Sequence, residues 1–301
     1  MISGEMILAG GAMVILAIAM SYILGWANKA FYVEVDPRVD AANEVLPGAN
    51  CGGCGYVGCG EYAEAVVGGE DVSLCTVGGA GVAQDLGQLM GVEVEESWPY
   101  RAVIHCGATL EQRLGRTQYH GVQSCSAANL IAGVQGCTYG CLGLGECVDA
   151  CDFDAIHIID GVAQVDYDKC TGCGACARVC PRHIISMVPF KQERMMVITC
   201  SNKDKGKDVT GVCTVGCIGC SGCAKVNDLI QIGDGLPGID YGVYEPEEAD
   251  FSAALEKCPR ESLVYVGKPS ADDLAAVADE EVPDRVEVDF KTTVDDTEWR
   301  G

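Results

Sequence analysis

Cys170-Thr-Gly-Cys173-Gly-Ala-Cys176-Ala-Arg-Val-Cys180-Pro181 is the stretch on which the reading of this chain turns. Three cysteines at two-residue gaps, a fourth after three more, and a closing proline form the thiolate run of a [4Fe–4S] cluster. Where two such runs occur, the fourth cysteine of each ligates the other cluster. Pro181 ends the local turn and starts the next element. The partner run lies upstream, Cys137-(x3)-Cys141-(x5)-Cys147-(x3)-Cys151. Exchange of fourth ligands gives one cluster to Cys137, Cys141, Cys147 and Cys180, and the next to Cys170, Cys173, Cys176 and Cys151. Between the runs, residues 155–165 read as a hairpin turning at Asp160-Gly161, and Ile184, Ile185 and Val188 as a further strand. Asp152 stands where proline usually follows the crossing cysteine, which predicts an altered turn with the ligand kept.

Downstream the same module repeats in decayed form. Cys217-(x2)-Cys220-(x2)-Cys223-(x3)-Asn227 supplies three ligands and then breaks. Asp234-Gly235 echoes Asp160-Gly161, and Cys258-Pro259-Arg260 echoes Cys180-Pro181-Arg182. Counted from Tyr241 as from Tyr167, the positions of the second cluster fall on Tyr244, Glu247 and Asp250, poor substitutes for soft thiolates. The repeat is therefore expected to keep one cluster, on Cys217, Cys220, Cys223 and Cys258, with a helix over 247–257 replacing the other. Upstream, Cys51-Gly-Gly-Cys54-(x4)-Cys59-(x15)-Cys75 gives four more thiolates in a glycine-rich setting that aims amides at a cluster. A structural zinc takes the same four ligands; the cluster motifs elsewhere in the chain favour iron. Four sets use sixteen of the twenty cysteines. Cys106, Cys125, Cys200 and Cys213 remain, read as unligated thiols, the alternative being a shared fifth metal site.

Composition agrees with a metal-rich protein. The chain has 301 residues with only five Phe and three Trp, so cores are modest and metal supplies folding energy. Cysteines clustered two or three residues apart are badly placed for disulfides and imply a reducing compartment. A net charge of −24 excludes a nucleic-acid backbone as partner. Eleven Asp/Glu against three Lys/Arg in residues 269–301 mark a solvated, disordered tail. Met6 to Asn28 carries no charge and is long enough for a hydrocarbon core roughly 30 Å thick. Glu5 and the lack of an early Lys or Arg argue for a retained anchor over a cleaved signal, and Lys29 and Arg38 place the body on the cytoplasmic side. No phosphate loop, dinucleotide fingerprint or catalytic triad is legible, and His105, His120, His157 and His183 read as structural.

The expected architecture is α+β: an N-terminal transmembrane helix, a small cysteine-rich iron–sulfur domain and two ferredoxin-like modules, the second degenerate. The boundaries are an anchor over 1–28, a [4Fe–4S] domain over 29–92, a connecting region over 93–132, a two-cluster module over 133–190, a one-cluster module over 191–268 and the tail over 269–301.

This order resembles the B subunit of the Rnf ion-translocating electron-transport complex. The resemblance is carried by the uncharged span, Leu46-Pro47-Gly48-Ala49-Asn50-Cys51-Gly52-Gly53-Cys54-Gly55, Gly58-Cys59-Gly60-Glu61-Tyr62-Ala63, residues 140–147, the Cys170 run and Val215-Gly216-Cys217-Ile218-Gly219-Cys220. It implies a translocase component without an active site of its own. Such a component relays electrons through about four [4Fe–4S] clusters in a complex that couples electron flow between ferredoxin and NAD to Na⁺ or H⁺ movement. The partners implied are the other subunits, soluble ferredoxin and the inner membrane. Lys191, Arg194, Lys203, Lys205 and Lys207 form the one basic concentration where an acidic ferredoxin would dock. An electron-input subunit of another reductase or hydrogenase, or an iron–sulfur sensor, are the alternative readings.

Overall fold

The computed structural model describes residues 4–31, 36–94, 98–117, 119–246 and 249–269. The acidic tail from residue 270 and Glu247 lie outside them. The described residues divide into two compact units, one running to Tyr100 together with Thr171–Ala175, the other taking the rest.

In the first unit, helix α1 (Gly4–Ala30) is continuous for 27 residues, about 40 Å at 1.5 Å per residue. From Gly10 to Ala30 it is long and apolar enough to cross a membrane, with none of that stretch buried in the protein. Ile15, Leu16 and Ile18 are all more than 60% exposed, a surface that water alone does not tolerate well. Asp36 then caps α2 (Pro37–Val45) by accepting from the Arg38 amide, with Pro37 as first helical residue. Helices α2, α3 (Cys59–Val67) and α4 (Gly79–Met90) enclose Ala42, Tyr62, Val66 and Leu86. The buried Tyr62 hydroxyl donates to the Asp71 carbonyl and accepts from the Leu74 amide, fixing the loop that ends at Cys75.

The second unit is one strand pattern run through twice. Strands β1 (Tyr100–Ile104) and β4 (Ile185–Pro189) pair around an inner hairpin of β2 (Ile156–Ile159) and β3 (Val162–Val165). Strands β5 (Arg194–Ile198) and β8 (Leu263–Gly267) pair around β6 (Ile230–Gly233) and β7 (Leu236–Ile239) in the same way. The hairpins share a register, Ile159 opposite Val162 and Gly233 opposite Leu236. Asp160 and Gly161 (φ 47° and 72°) and Asp234 and Gly235 (φ 52° and 80°) turn them with both residues left-handed, the two-residue turn that Asp-Gly favours. Strand β1 falls in the stretch 93–132 read as a connecting region. A five-residue strand without cysteine gave no signal there, and the first module starts with it.

The two cores differ in substance. The first repeat packs Ala102, Ile104, Ile156, Ile184 and Ile185 against buried Cys141, Cys147, Cys170 and Cys176. The second packs Met195, Met196, Tyr244 and Phe251. Tyr244 and Phe251 stack at 6.0 Å, and the Tyr241 hydroxyl donates to the Met196 carbonyl. Short helices α5 (Cys125–Asn129), α6 (Glu146–Asp149), α7 (Ala175–Val179) and α8 (Gly206–Val212) lie between the strands, and the helix expected over 247–257 is shorter, α9 (Ser252–Lys257). The Asp250 carboxylate accepts from the Ser252 amide and hydroxyl and holds the chain out of the helix before that point. Phe251, with no exposed surface, is the plug of the second repeat. Phe251→Ala should destabilise the full-length protein by about 3–5 kcal/mol, read as a lower denaturant midpoint for loss of β-structure.

Candidate metal centres

Four cavities of similar size are walled by cysteine. In the first unit Cys51, Cys54, Cys59 and Cys75 surround one of about 320 Å³. Cys59 opens α3, and its amide donates to the Asn50 side chain at 2.8 Å. In the second unit Cys217, Cys220, Cys223 and Cys258 surround one of about 360 Å³. A third, also about 360 Å³, is lined by Cys125, Cys141, Cys147 and Cys180. A fourth, about 390 Å³, is lined by Cys106, Cys137, Cys200 and Cys213.

The expected sets of Cys51 and Cys217 are thus brought together. Cys151, Cys170 and Cys176 share one sulfur-rich core, and Cys173 follows in the same loop between two left-handed glycines, Gly172 and Gly174. The set of Cys137, Cys141, Cys147 and Cys180 is not gathered as expected. Cys137 turns into the cavity of Cys106, Cys200 and Cys213, and Cys125 stands in its place. Cys147 and Cys151, and Cys176 and Cys180, are likewise three residues apart, and only Cys147 and Cys180 line the third cavity.

The linings suit an anionic, sulfur-rich occupant. Backbone N–H groups already point at cysteine sulfur, from Gly78 to Cys75 at 3.4 Å, Gly140 to Cys137 at 3.2 Å and Ala155 to Cys151 at 3.4 Å. The last bond spans the turn that contains Asp152. Three buried polar atoms lack a partner among the described residues, Thr76 Oγ1, Thr171 Oγ1 and Arg182 Nε. Thr76 and Arg182 line cysteine cavities, and Thr171 adjoins Cys170. Each cavity of the second unit carries one arginine, Arg113, Arg260 or Arg182. A buried guanidinium calls for an anion, and an unpaired buried donor for an acceptor.

Burial pushes the Cys137 thiol up; the Tyr139 and Gly140 amides oppose this, and the nearby Cys106 and Cys213 sulfurs add to it. Burial likewise lifts Cys200 to about 11, and lifts Cys147 to about 12 with help from Cys141 and Cys125. At Cys258 burial also raises, but hydrogen bonds from the Arg260 and Ser262 amides and the Ser262 hydroxyl bring it below the ordinary value. Grouped thiols of this kind ionise when a cation shares them. Zinc would draw four sulfurs to about 3.8 Å of one another, given Zn–S bonds of about 2.3 Å. Among the described residues no three His, Cys, Asp or Glu are gathered closely enough for a single ion. Cysteines lining cavities in sets of four fit a polynuclear cluster.

The other residues singled out have structural partners. His105 Nδ1 lies 2.7 Å from the Ile198 carbonyl, so it carries the proton, and Nε2 accepts from Ser186 at 2.6 Å; burial lowers its pKa. Asn227 donates to the Asp250 carbonyl and accepts from the Leu229 amide. Tyr244 is buried in the core and Asp250 anchors α9.

Two family models match, "Putative Fe-S cluster" over residues 46–77 and "4Fe-4S binding domain" over residues 163–186. The chain is 40% identical to the B subunit of the Na⁺-translocating ferredoxin:NAD⁺ oxidoreductase complex of Acetobacterium woodii, over 82% of this chain and 75% of that one. It is 38% identical to the B subunit of the proton-translocating ferredoxin:NAD⁺ oxidoreductase complex of Clostridium ljungdahlii, over 82% and 88%. It is 41% identical to the B subunit of the ion-translocating oxidoreductase complex of Methanosarcina acetivorans, over 67% and 77%.

The chain belongs to the B-subunit family of Rnf ion-translocating oxidoreductase complexes. As a member of the Rnf B-subunit family it is an iron–sulfur, membrane-associated protein of a multi-subunit assembly. Its arginines then acquire a measurable role. Arg260 Nε and Nη2 donate to the Gly216 and Cys213 carbonyls beside the Cys217 cavity. Removing this positive charge makes electron addition harder. Arg260→Met should lower one midpoint potential by some tens of millivolts, on the order of a single partly screened charge. Redox titration followed by electron paramagnetic resonance measures it, the Cys51 cluster's potential staying in place.

Proposed function

We propose that this chain is the electron-transfer subunit of a ferredoxin:NAD oxidoreductase complex that moves Na⁺ or H⁺ across the membrane, taking electrons from soluble ferredoxin and passing them to the membrane subunits. The observation that carries the reading is the family match, which spans most of the relatives' length, on a chain whose chemistry-bearing residues are thiols around cavities. Cys51, Cys54, Cys59 and Cys75 would hold the first cluster, Cys151, Cys170, Cys173 and Cys176 another, and Cys217, Cys220, Cys223 and Cys258 the one cluster proper to the degenerate second module. Bound there, a cluster supplies a site that accepts and returns one electron. The protein's part is to hold the thiolates, to direct amides such as those of Gly78 and Ala155 at sulfur, and to keep water away.

Flavin and NAD sites belong to partner subunits on this reading. Helix α1 is the single anchor, with the remainder on the cytoplasmic side. Of the five basic residues nominated for ferredoxin, three are engaged within the chain. Lys191 donates to the Gly242 and Tyr244 carbonyls, Arg194 lies 4.8 Å above the Tyr265 ring, and Lys203 pairs with Asp234 at 2.9 Å. Lys205 and Lys207, both exposed at the start of α8 (Gly206–Val212), remain as the docking cations.

Reduced ferredoxin added to the anaerobic full-length protein in detergent should bleach its visible iron–sulfur absorption within the mixing time of a stopped-flow instrument. Lys205→Glu with Lys207→Glu should slow this several-fold at low salt and little at high salt. Absence of any reduction by ferredoxin, with dithionite reduction intact, would remove the proposal. For the anchor, full-length protein should resist extraction from membranes by carbonate and high salt. A chain starting at Phe31 should be released and keep its iron.

A further inference from the structure

We propose that Cys106, Cys137, Cys200 and Cys213 hold a fifth [4Fe–4S] cluster shared between the two repeats, and that Cys125 completes the set of Cys141, Cys147 and Cys180. The inference rests on the iron–sulfur reading above and adds a site to it, so that all twenty cysteines are ligands.

The repeat explains why four cysteines so far apart meet. Residues 102–106, Ala-Val-Ile-His-Cys, match residues 196–200, Met-Val-Ile-Thr-Cys. Cys137-Thr-Tyr-Gly-Cys141-Leu-Gly matches Cys213-Thr-Val-Gly-Cys217-Ile-Gly. Each repeat thus contributes one cysteine just past its first strand and one just before its cluster run. Cys106 and Cys200 face each other across an antiparallel bridge, and Arg113 faces Cys213 across another. The first bridge joins equivalent residues of the two repeats, and the fourth cavity lies beside it. The surroundings repeat in the same way. Arg182 donates to the Cys137 carbonyl and Arg260 to the Cys213 carbonyl. A Cβ at Gly140 would lie 3.4 Å from Cys137 Sγ and 3.6 Å from Cys106 Sγ, and one at Gly216 would lie 3.4 Å from Cys213 Sγ.

The cavity's chemistry asks for an anion containing metal. Its volume, about 390 Å³, is close to the 360 Å³ at the Cys217 set. Arg113, 5% exposed, lines it and donates to the carbonyls of Ala108, Cys141 and Gly161; no carboxylate among the described residues pairs with it. Asn202 Nδ2 lies 3.5 Å from Cys137 Sγ. Four thiols, Cys137 and Cys213 buried and Cys106 and Cys200 half-buried, beside a buried cation fit a cubane whose thiolates give it net negative charge.

The same alignment accounts for Cys125. Cys141 and Cys147 are spaced like Cys217 and Cys223, but the middle cysteine, Cys220, has Leu144 as its counterpart. The first repeat has 31 positions from Cys106 to Cys137 against 13 from Cys200 to Cys213, so 18 extra residues, and they carry Cys125. Ser126 fixes that segment by donating from its amide and hydroxyl to the Glu146 carboxylate, next to Cys147.

The test counts iron and acid-labile sulfide in full-length protein reconstituted anaerobically in detergent. The expected count is about 20 of each, at four per cube. Pairs of cysteines sharing a site should lose one cluster between them, and pairs from different sites two. Cys137→Ala with Cys200→Ala should therefore lose about four iron, and Cys137→Ala with Cys180→Ala about eight. Cys125→Ala with Cys180→Ala should lose about four. The reverse pattern, eight for the first pair and four for the second, would overturn the assignment. So would an unchanged iron count in Cys106→Ala or Cys200→Ala, or a loss of one zinc in place of four iron. Unchanged circular dichroism and unchanged electron paramagnetic resonance of the Cys51 cluster identify variants that have folded. Wild-type protein without any iron–sulfur would fail the underlying reading; a count near 16 indifferent to Cys106 and Cys200 would fail this inference alone.

Discussion

Buried thiols held in groups around a shared space are the constraint on which this structure depends. Cysteine is a small side chain, and a core built from it packs little apolar area. Cys141, Cys147, Cys170 and Cys176 sit in the first repeat's core where a larger domain would place leucine or phenylalanine. Burial pushes Cys147 and Cys200 well above the ordinary thiol range. Forming several thiolates together in that setting without metal is unfavourable, because each adds charge to a desolvated neighbourhood. Iron repays both deficits, since it ties the loops and neutralises the thiolates. Fold and cofactor are therefore one thermodynamic unit here.

Much of this was legible in the sequence, for physical reasons that also mark where reading failed. Asp160-Gly161 and Asp234-Gly235 announced their hairpins because few other pairs take two left-handed residues in succession. Three members each of the Cys51 and Cys217 sets were legible because short gaps favour wrapping one centre, and Cys258 because Cys258-Pro259-Arg260 echoes Cys180-Pro181-Arg182. Cys137 lines the cavity of Cys106, Cys200 and Cys213, a long-range neighbourhood that local spacing does not reveal. Cys125 lies in an insertion with no counterpart to signal it. Strand β1 was missed because cysteine runs drew the boundary, and the helix over 247–257 was drawn too long because Asp250 starts it late.

The second repeat builds its core on aromatic and methionine side chains where the first uses cysteine. Tyr244 and Asp250 stand where thiolates stand in the first repeat. Tyr244 joins Phe251, Met195 and Met196 in an ordinary apolar core, and Asp250 anchors α9. Asn227, at the position of the crossing ligand, ties the 227–229 turn to residue 250. The strand frame survives because its hairpin and its β5–β8 pair depend on backbone hydrogen bonds and not on metal. The sulfur-rich core and the aromatic core are thus alternative fillings of one frame.

Charge then separates the surface from the centres. The chain carries −24 overall, yet three cysteine cavities of the second unit are each lined by an arginine, buried at Arg113 and half-buried at Arg182 and Arg260. The acidic exterior raises the work of adding an electron anywhere in the protein, which suits exchange with a low-potential donor. The arginines act at contact distance in a low dielectric, where one charge outweighs many distant screened ones. Potentials can therefore be set site by site by Arg113, Arg182 and Arg260 while the surface sets their common level. The arginines differ in their attachments. Arg113 is held by three carbonyls on different segments, whereas Arg182 leaves Nε without a partner among the described residues. A fully tethered cation fixes its field, and one with an unpartnered donor is held by fewer contacts, so two sites built on one frame need not share a potential.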